Sequence, residues 1–315
     1  MKLEDQIRAA IRRRAYSRRT ETAYVDWYRR FVRFHQLRHP THMGAAEVEQ
    51  FLTHLAVEEQ VSGATQNQAF SALLFLYRDV LQIDLGQIRS VRAQRTKYVQ
   101  PYLSHAECLS ILSHLSGVHR LILSLIYVGG LRLLEALRLR VKDVDLENKL
   151  ITLHDTKSNR DRITFLPDDA EFVEQFRQHL ERVRREHEAA PPVPASMPLA
   201  LERKYRSAAK SWEWQYVFPA RDVTYDKRTQ TIRRHHLHET GVQRAFAQAV
   251  KKAGITKKAT VHTLRAAFAH RMREAGLDLD EIQKLMGHAD QRATAHYLEG
   301  APPPHTTAKR ITLTR

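Results

Sequence analysis

Six side chains in the later two thirds of this 315-residue chain have the types and the order to act together on one phosphate. The first group is Gly129-Gly130-Leu131-Arg132-Leu-Leu-Glu135, and the second is the polar run Thr156-Lys157-Ser158-Asn159-Arg160-Asp161-Arg162. The third begins at His262-Thr-Leu-Arg265, continues with Gly287-His288 and ends at Tyr297. Guanidinium forks hold two non-bridging phosphate oxygens at once and stay charged. Arg132 and Arg265 therefore suit a phosphodiester that gathers charge in its transition state. A tyrosine hydroxyl is a poor nucleophile at neutral pH unless cations stabilise its phenolate, and a histidine can accept or relay its proton. A lysine on a hairpin can reach a leaving oxygen as a general acid. No Asp/Glu cluster of metal-site character accompanies the set, which disfavours a two-metal nuclease. Each piece alone has a plain reading: a surface His-x-x-Arg, a turn before a helix, a packed tyrosine. The joint order carries the information.

These residues need elements to hold them. The apolar run Leu121–Val128 predicts a helix, Gly129-Gly130 a turn, and Leu131–Leu139 a second helix. Lys149–Leu153 and Arg162–Leu166 are β-prone and flank Asp155–Asp161, a hairpin. Ser104 followed by Glu107 has capping-box spacing, and helices are expected over 169–188, 241–253 and 264–275. His262 and Arg265, three apart, share one helix face. Upstream, Tyr24, Trp27, Phe31 and Phe34 recur at helical steps with Arg29, Arg30 and Arg33 on the other side. Val48, Phe51, Leu52 and Leu55 predict a second amphipathic helix, and Ala69–Leu81 a third, with Ser17 or Thr20 capping the first and Gly63 and Thr65 a break before the third. A helical bundle over 1–84, a basic linker over 85–101 and a mixed domain over 102–315 result. The expected fold class is mainly α with a small antiparallel sheet.

Charge points to the partner. The chain carries 51 Lys and Arg against 35 Asp and Glu, a formal net charge of +16. Residues 1–98 hold 16 basic and 10 acidic side chains and so account for +6 of it. Both parts are basic, which excludes a neutral enzyme with a basic arm and suits two lobes on a polyanion. Arg89, Arg92, Arg95 and Lys97 make the linker either a strap along a phosphate backbone or a plain solvated connection. The single cysteine, Cys108, lies among apolar residues and reads as packing, and a lone cysteine fits a reducing cytosol. No apolar stretch approaches the roughly 18 residues of a membrane span. Glu4 and Asp5, with no apolar h-region, give no secretory signal.

With these residues in place the chain resembles the tyrosine recombinases, the phage-type integrases, over essentially its full length. Arg265 to His288 spans 23 positions and His288 to Tyr297 nine, and all six expected positions are filled. The resemblance implies a two-domain clamp around DNA and strand exchange in a homotetramer through a 3′-phosphotyrosyl intermediate and a Holliday junction. The protein would be monomeric without DNA and bacterial, cytoplasmic and nucleoid-associated. Tyr297 would be the nucleophile, Arg132 with Arg265 the phosphate clamp, and Lys157 the general acid. His262 would be a base or hydrogen-bond partner, and His288 a transition-state donor. No cofactor or metal is implied. A topoisomerase-like cut-and-reseal enzyme and a DNA-binding protein with impaired catalysis share these motifs.

Other stretches are similar to integron integrases: Thr20-Glu21-Thr-Ala-Tyr24-Val-Asp-Trp27, Arg38-His39-Pro40, Thr65-Gln66-Asn67-Gln68-Ala69 and Arg138-Leu-Arg140-Val-Lys142-Asp143. So are Ala200–Tyr205, Trp212–Pro219 and Arg233–Leu237, which match that subgroup's additional segment, placed at about 190–220. This implies a second DNA form, a folded single-stranded hairpin with extrahelical bases, for which aromatic and imidazole faces are suited. Trp214, His235 and His236 match positions that hold such bases, and Arg233, Arg234, Arg160, Arg92 and Arg95 are phosphate-contact candidates. Trp214 packed in a core with His235 and His236 capping a helix is the competing reading, and zinc on His235, His236 and His238 a third. The chain also departs from the family. Ala266-Ala267-Phe268-Ala269-His270 replaces a commoner His-Ser-Phe-Ala-Thr, which predicts fewer hydrogen bonds around Arg265. Gly129, Ala293-Thr294, Lys227, Glu299 and the Pro302–Pro304 tail depart as well.

Overall fold

The computed structural model describes residues 2–93, 101–154, 161–189, 193–197, 199–205, 207–226 and 230–298. Lys157, Arg160, Arg95, Lys227, Glu299 and the Pro302–Pro304 tail lie outside them. The fold is mainly helical with two small antiparallel sheets, and the chain divides into two compact units, 1–98 and 99–315. No helix among the described residues is long and apolar enough to cross a membrane.

The first unit holds helices α1 (Leu3–Arg13), α2 (Arg18–Phe34), α3 (Ala45–Val57) and α4 (Gly63–Phe75). Ser17 caps α2 by accepting from the Thr20 N–H, and Ser62 caps α4 in the same way from Thr65. Gly63 and Thr65 therefore lie inside the first turn of α4, which starts six residues before the expected Ala69. The run to Leu81 is not one α-helix either: it widens into a π turn over Leu76–Leu81 and ends at Gln82 in the left-handed region. Val48, Phe51, Leu52 and Leu55 are all buried, as are Trp27 and Phe31, while Phe34 stays 38% exposed. Helix α1 escapes a reading by periodicity because charged residues at 4, 5, 8, 12 and 13 interrupt a short apolar pattern, yet Ile7, Ala10 and Ile11 close the core. Residues 85–93, expected in the linker, are pinned to this unit. Gln66 donates to the Val91 carbonyl at 2.7 Å and accepts from the Ala93 N–H at 3.0 Å.

The second unit is built on α6 (Gly117–Gly129), buried along nine consecutive residues, which follows α5 (His105–Ser113) and precedes the short α7 (Leu133–Leu137). Ser104 and Glu107 form the expected capping box on α5. Strands β1 (Val144–Asp145), β2 (Leu150–Leu153) and β3 (Arg162–Phe165) make an antiparallel sheet in that order, with Leu153 opposite Arg162 at the base of the hairpin. Helices α8 (Ala170–Glu188) and α9 (Leu199–Lys204) follow, then the ribbon β4 (Pro219–Asp226) and β5 (Thr231–His236). The chain continues through α10 (Glu239–Lys252), α11 (Val261–Glu274), α12 (Leu279–Met286) and α13 (Gln291–Leu298). α11 packs along α6 and carries a buried face from Thr263 to His270. A smaller apolar cluster of Phe268, Met272, Ile282, Met286 and Tyr297 ties α11, α12 and α13 together. Cys108 is fully buried, and burial pushes its thiol up to about 12, as a packing residue requires.

Candidate active site

Five of the six expected side chains converge in the second unit; the sixth, Lys157, lies outside the described residues. Turn chemistry starts the site. Gly130 ends α6 at φ +62°, and a Cβ there would collide with the Phe268 ring, so only glycine allows the turn that delivers Arg132. Arg132 stands just before α7, and Glu135 in the first turn of α7 accepts its backbone N–H at 2.7 Å and its Nη1 at 2.5 Å. Arg132 Nη2 also donates to the Gly287 carbonyl at 2.9 Å, which joins α7 to the end of α12.

Arg265 is completely buried, which demands partners for its donors; both Nη groups find them, while Nε has none among the described residues. Nη1 donates to the Gly130 carbonyl and Nη2 to the Met286 carbonyl, each at 2.5 Å, and Nη2 also reaches His288 Nε2 at 3.0 Å. The predicted loss of support after Arg265 is thus made up by backbone carbonyls. Ala266, Ala267, Phe268 and Ala269 pack apolar neighbours instead. Burial, then the Arg132 charge, lowers Arg265 to about 10, so it remains cationic at neutral pH.

Tyr297 on α13 is 9% exposed, and its hydroxyl is hydrogen-bonded to His262 Nε2 on the first turn of α11. Its ring lies 5.1 Å from those of both His262 and His288. Burial raises the phenol above its ordinary value against the lowering pull of Arg265 and Arg132, so it is protonated at neutral pH. His262 is exposed at its outer edge. The protein packed about the imidazole, then the charges of Arg265 and Arg132, hold it below its usual value. The imidazole is therefore neutral, and in the tautomer that leaves Nε2 bare it accepts from the phenol. His288 is pushed down to about 3 by burial and then by Arg265. Its Nδ1 pairs with Thr294 Oγ1 at 2.9 Å, and its Nε2 accepts from Arg265. Thr294 is the one threonine kept in Ala293-Thr294, and it suffices to orient the ring.

Sequence reasoning missed Arg162. It leaves the base of the hairpin with a nearly buried side chain and makes a fork to Glu135, Nη1 to Oε1 at 3.1 Å and Nη2 to Oε2 at 2.6 Å. Its Nε donates to the Leu285 carbonyl at 3.0 Å. Burial would raise the Glu135 carboxyl, but the Arg162 hydrogen bonds and charge, the Arg132 N–H and the Arg265 charge outweigh it and hold the group at about 2. The available sign was the Arg160-Asp161-Arg162 run beside the hairpin lysine, which named no partner.

The expected DNA contacts divide. Trp214 is half-buried at the end of a 3₁₀ turn, with the Arg140 guanidinium 5.6 Å and the Lys142 ammonium 4.9 Å from its ring centroid. Arg140 also lies 4.5 Å over Tyr216, against which the His236 ring packs edge-on at 5.5 Å. Trp214 and His236 are thus linked through the buried Arg140 and Tyr216. His235 and His236 lie on β5, and the helix cap is His238, which accepts from the Thr240 N–H at the start of α10. Arg233 corrects the expectation of a phosphate contact. It is 4% exposed and paired with Glu202 of α9, because alternation along β5 turns it inward. Arg234 is half-buried with its Nε closed off from water, and Arg92 is exposed beside Asn67 in the first unit. Among the described residues no group of three His, Cys, Asp or Glu is placed to hold a metal ion.

Comparison with known proteins gives the class. A model described as the phage integrase family matches residues 101–302, and one for the phage integrase N-terminal SAM-like domain matches residues 3–87. The chain belongs to the phage integrase family, and it is an enzyme, a tyrosine-type site-specific DNA recombinase. An integrase/recombinase of Escherichia coli is 42% identical over 301 residues, 94% of this chain and 89% of that one. The tyrosine recombinase XerC of Lactobacillus delbrueckii is 27% identical, over 77% and 74% of the two chains. Among solved structures, a lambda integrase dimer bound to a COC′ core site matches with a TM-score of 0.61 at 17% identity, over 98% of each chain. XerH bound to palindromic difH in a post-cleavage complex matches at 0.59 and 19%, over 88% of this chain and 75% of that one. At such identities the last two speak for the fold.

Proposed function

We propose that Tyr297 is the nucleophile of DNA strand exchange, that Arg132 and Arg265 clamp the scissile phosphate, and that His262 takes the phenolic proton. The observation that carries this reading is the hydrogen bond of a protonated Tyr297 to a neutral His262 beside a fully buried Arg265. The Tyr297 oxygen attacks phosphorus, the bond to the 5′-oxygen breaks, and Lys157 supplies the proton to that oxygen. A 5′-hydroxyl from the partner strand then reverses the step and releases Tyr297. His288, with its Nε2 on Arg265, orients that guanidinium, and it donates to phosphate only after this bond opens and its proton moves from Nδ1 to Nε2, with the Thr294 hydroxyl then donating to Nδ1. The test is a suicide substrate nicked near the crossover. The chain should give a denaturation-resistant adduct and Tyr297→Phe none, and an adduct that persists in Tyr297→Phe overturns the assignment.

The finer reading is an integron-type recombinase that moves cassettes between duplex sites and folded single-stranded hairpins, as a homotetramer on DNA in the bacterial cytoplasm. Residues 1–84 would form the core-binding domain, 85–101 the connection and 102–315 the catalytic domain, with the added segment near 190–220. Its support is the pair of half-buried rings Trp214 and His236, set against the buried Arg140 and Tyr216, since such rings suit unstacked bases at about 1–3 kcal/mol each. Binding should favour a hairpin with extrahelical bases over the matched duplex, and Trp214→Ala should remove the preference. Equal affinity for both forms in both proteins would defeat the subgroup.

A further inference from the structure

Three successive carbonyls at the end of α12, immediately before His288, accept from three different arginines. Leu285 accepts from Arg162 Nε, Met286 from Arg265 Nη2 and Gly287 from Arg132 Nη2. All three arginines also face one carboxylate. Glu135 takes the Arg162 fork at 2.6 and 3.1 Å and Arg132 Nη1 at 2.5 Å, and it lies 3.7 Å from Arg265 Nη1. Without DNA, the two phosphate-clamp arginines thus rest on protein oxygens that compete with a phosphate for the same donors. Arg162 differs from them. Its side chain is only 7% exposed, its fork is filled by Glu135, and it packs so closely on Gly287 that a Cβ there would lie 2.6 Å from its Nη1.

We propose that Arg162 is a positioning residue for the cleavage step: it neutralises Glu135 so that this carboxylate does not retain Arg132 and Arg265 when the scissile phosphate needs them. It also keeps its hold on Leu285, so the Gly287–His288 turn stays in register once the other two arginines move. The chemistry behind this is competition for a guanidinium between two anions. A carboxylate that already accepts a full bidentate fork has less to offer a second arginine than one left bare. Arg162 never touches substrate in this account. The proposal rests on the assignment of Arg132 and Arg265 as the phosphate clamp.

The test is a double-mutant cycle on adduct formation in a single turnover with the suicide substrate, using the full chain. Arg162→Ala should slow cleavage at least about 100-fold while leaving DNA affinity within a few-fold. Adding Glu135→Gln should restore at least about ten-fold, because the bare carboxylate is then gone. A merely structural role predicts the opposite, further loss in the double variant, and that outcome overturns the proposal, as does an Arg162→Ala enzyme within three-fold of wild type. If Arg162→Ala does not fold, Arg162→Gln supports the same cycle, since a glutamine keeps much of the side chain's bulk and removes the charge that neutralises Glu135. Absence of any wild-type adduct would instead defeat the clamp reading. In that case a carbon NMR titration of the Glu135 carboxyl, which needs no DNA, decides this pairing. A midpoint that rises in the Arg162 variant upholds the pairing, and an unchanged one overturns it.

Discussion

Two carboxylates, one in each unit, are gripped by arginines, and they do different work. Glu21 on α2 accepts from Arg8 and Arg12 of α1, with the Arg12 side chain 67% and the Arg8 side chain 31% exposed. Glu135 faces Arg162 and Arg265, whose side chains are 7% and 1% exposed, and Arg132 at 38%. Both carboxyls are held below their usual value, Glu21 chiefly by the Arg12 hydrogen bond, and Glu135 to about 2 against the upward pull of burial. The first cluster ties two helices over an apolar core, its carboxylate only 10% exposed but its guanidinium groups open to water. The second places positive charge where water cannot screen it, at the cost of desolvating each group, and aims it at a phenol. The same ion pair is a fastener in one unit and part of the proposed reaction machinery in the other.

The largest effect that separates the two is expected at Arg265. Arg265→Lys cannot reach Gly130, Met286 and His288 with one ammonium, so single-turnover adduct formation should fall by about 10²–10³-fold. DNA affinity, set by contacts spread over the basic surface, should change little. Cleavage within three-fold of wild type would mean that a point charge suffices and that the fork geometry has no part in the reaction.

Acid stability should separate them next. The folded Glu135 carboxyl is depressed from 4.5 to about 2, so its contribution is present above pH 4.5 and lost as pH falls from there toward 2. The full shift corresponds to roughly 3 kcal/mol. In Glu135→Gln this component is absent, and unfolding free energy measured by denaturant between pH 5 and pH 3 should fall less steeply than in the wild type. Parallel slopes in the two proteins would place Glu135 with ordinary carboxylates.

The residues that converge in the candidate site were legible in the sequence because their identity is chemical and their order is fixed within short stretches: His262 and Arg265 on one turn, His288 nine residues before Tyr297. Their supports were not. Arg162 meets Leu285 across 123 residues and Arg132 meets Gly287 across 155, separations at which no local pattern names a partner. Helix periodicity found α3 and α6, whose apolar faces are buried, but overran at Leu76, where the backbone widens into a π turn that hydrophobicity does not encode. The β4–β5 ribbon escaped for a related reason. Val223, Tyr225 and Ile232 face solvent on it while Arg233 turns inward, which inverts the apolar-in alternation that marks a strand. Arg233 consequently read as a surface cation.

The smallest effect belongs to Glu21, and it completes the contrast. Glu21→Gln keeps the shape of the side chain and removes the charge that Arg8 and Arg12 share. The loss should be about 1 kcal/mol, as for partly exposed pairs, because water and salt already screen both guanidinium groups. Arg8 retains Glu4 at 2.8 Å as a partner, which limits the loss further. Thermal unfolding at 0.05 and 0.5 M salt should show the wild-type advantage shrinking with salt, and adduct formation should be unchanged. The comparison fails if Glu21→Gln lowers stability by several kcal/mol or slows cleavage. Either result would mean that the first cluster is coupled to the chemistry of the second unit and is no simple fastener.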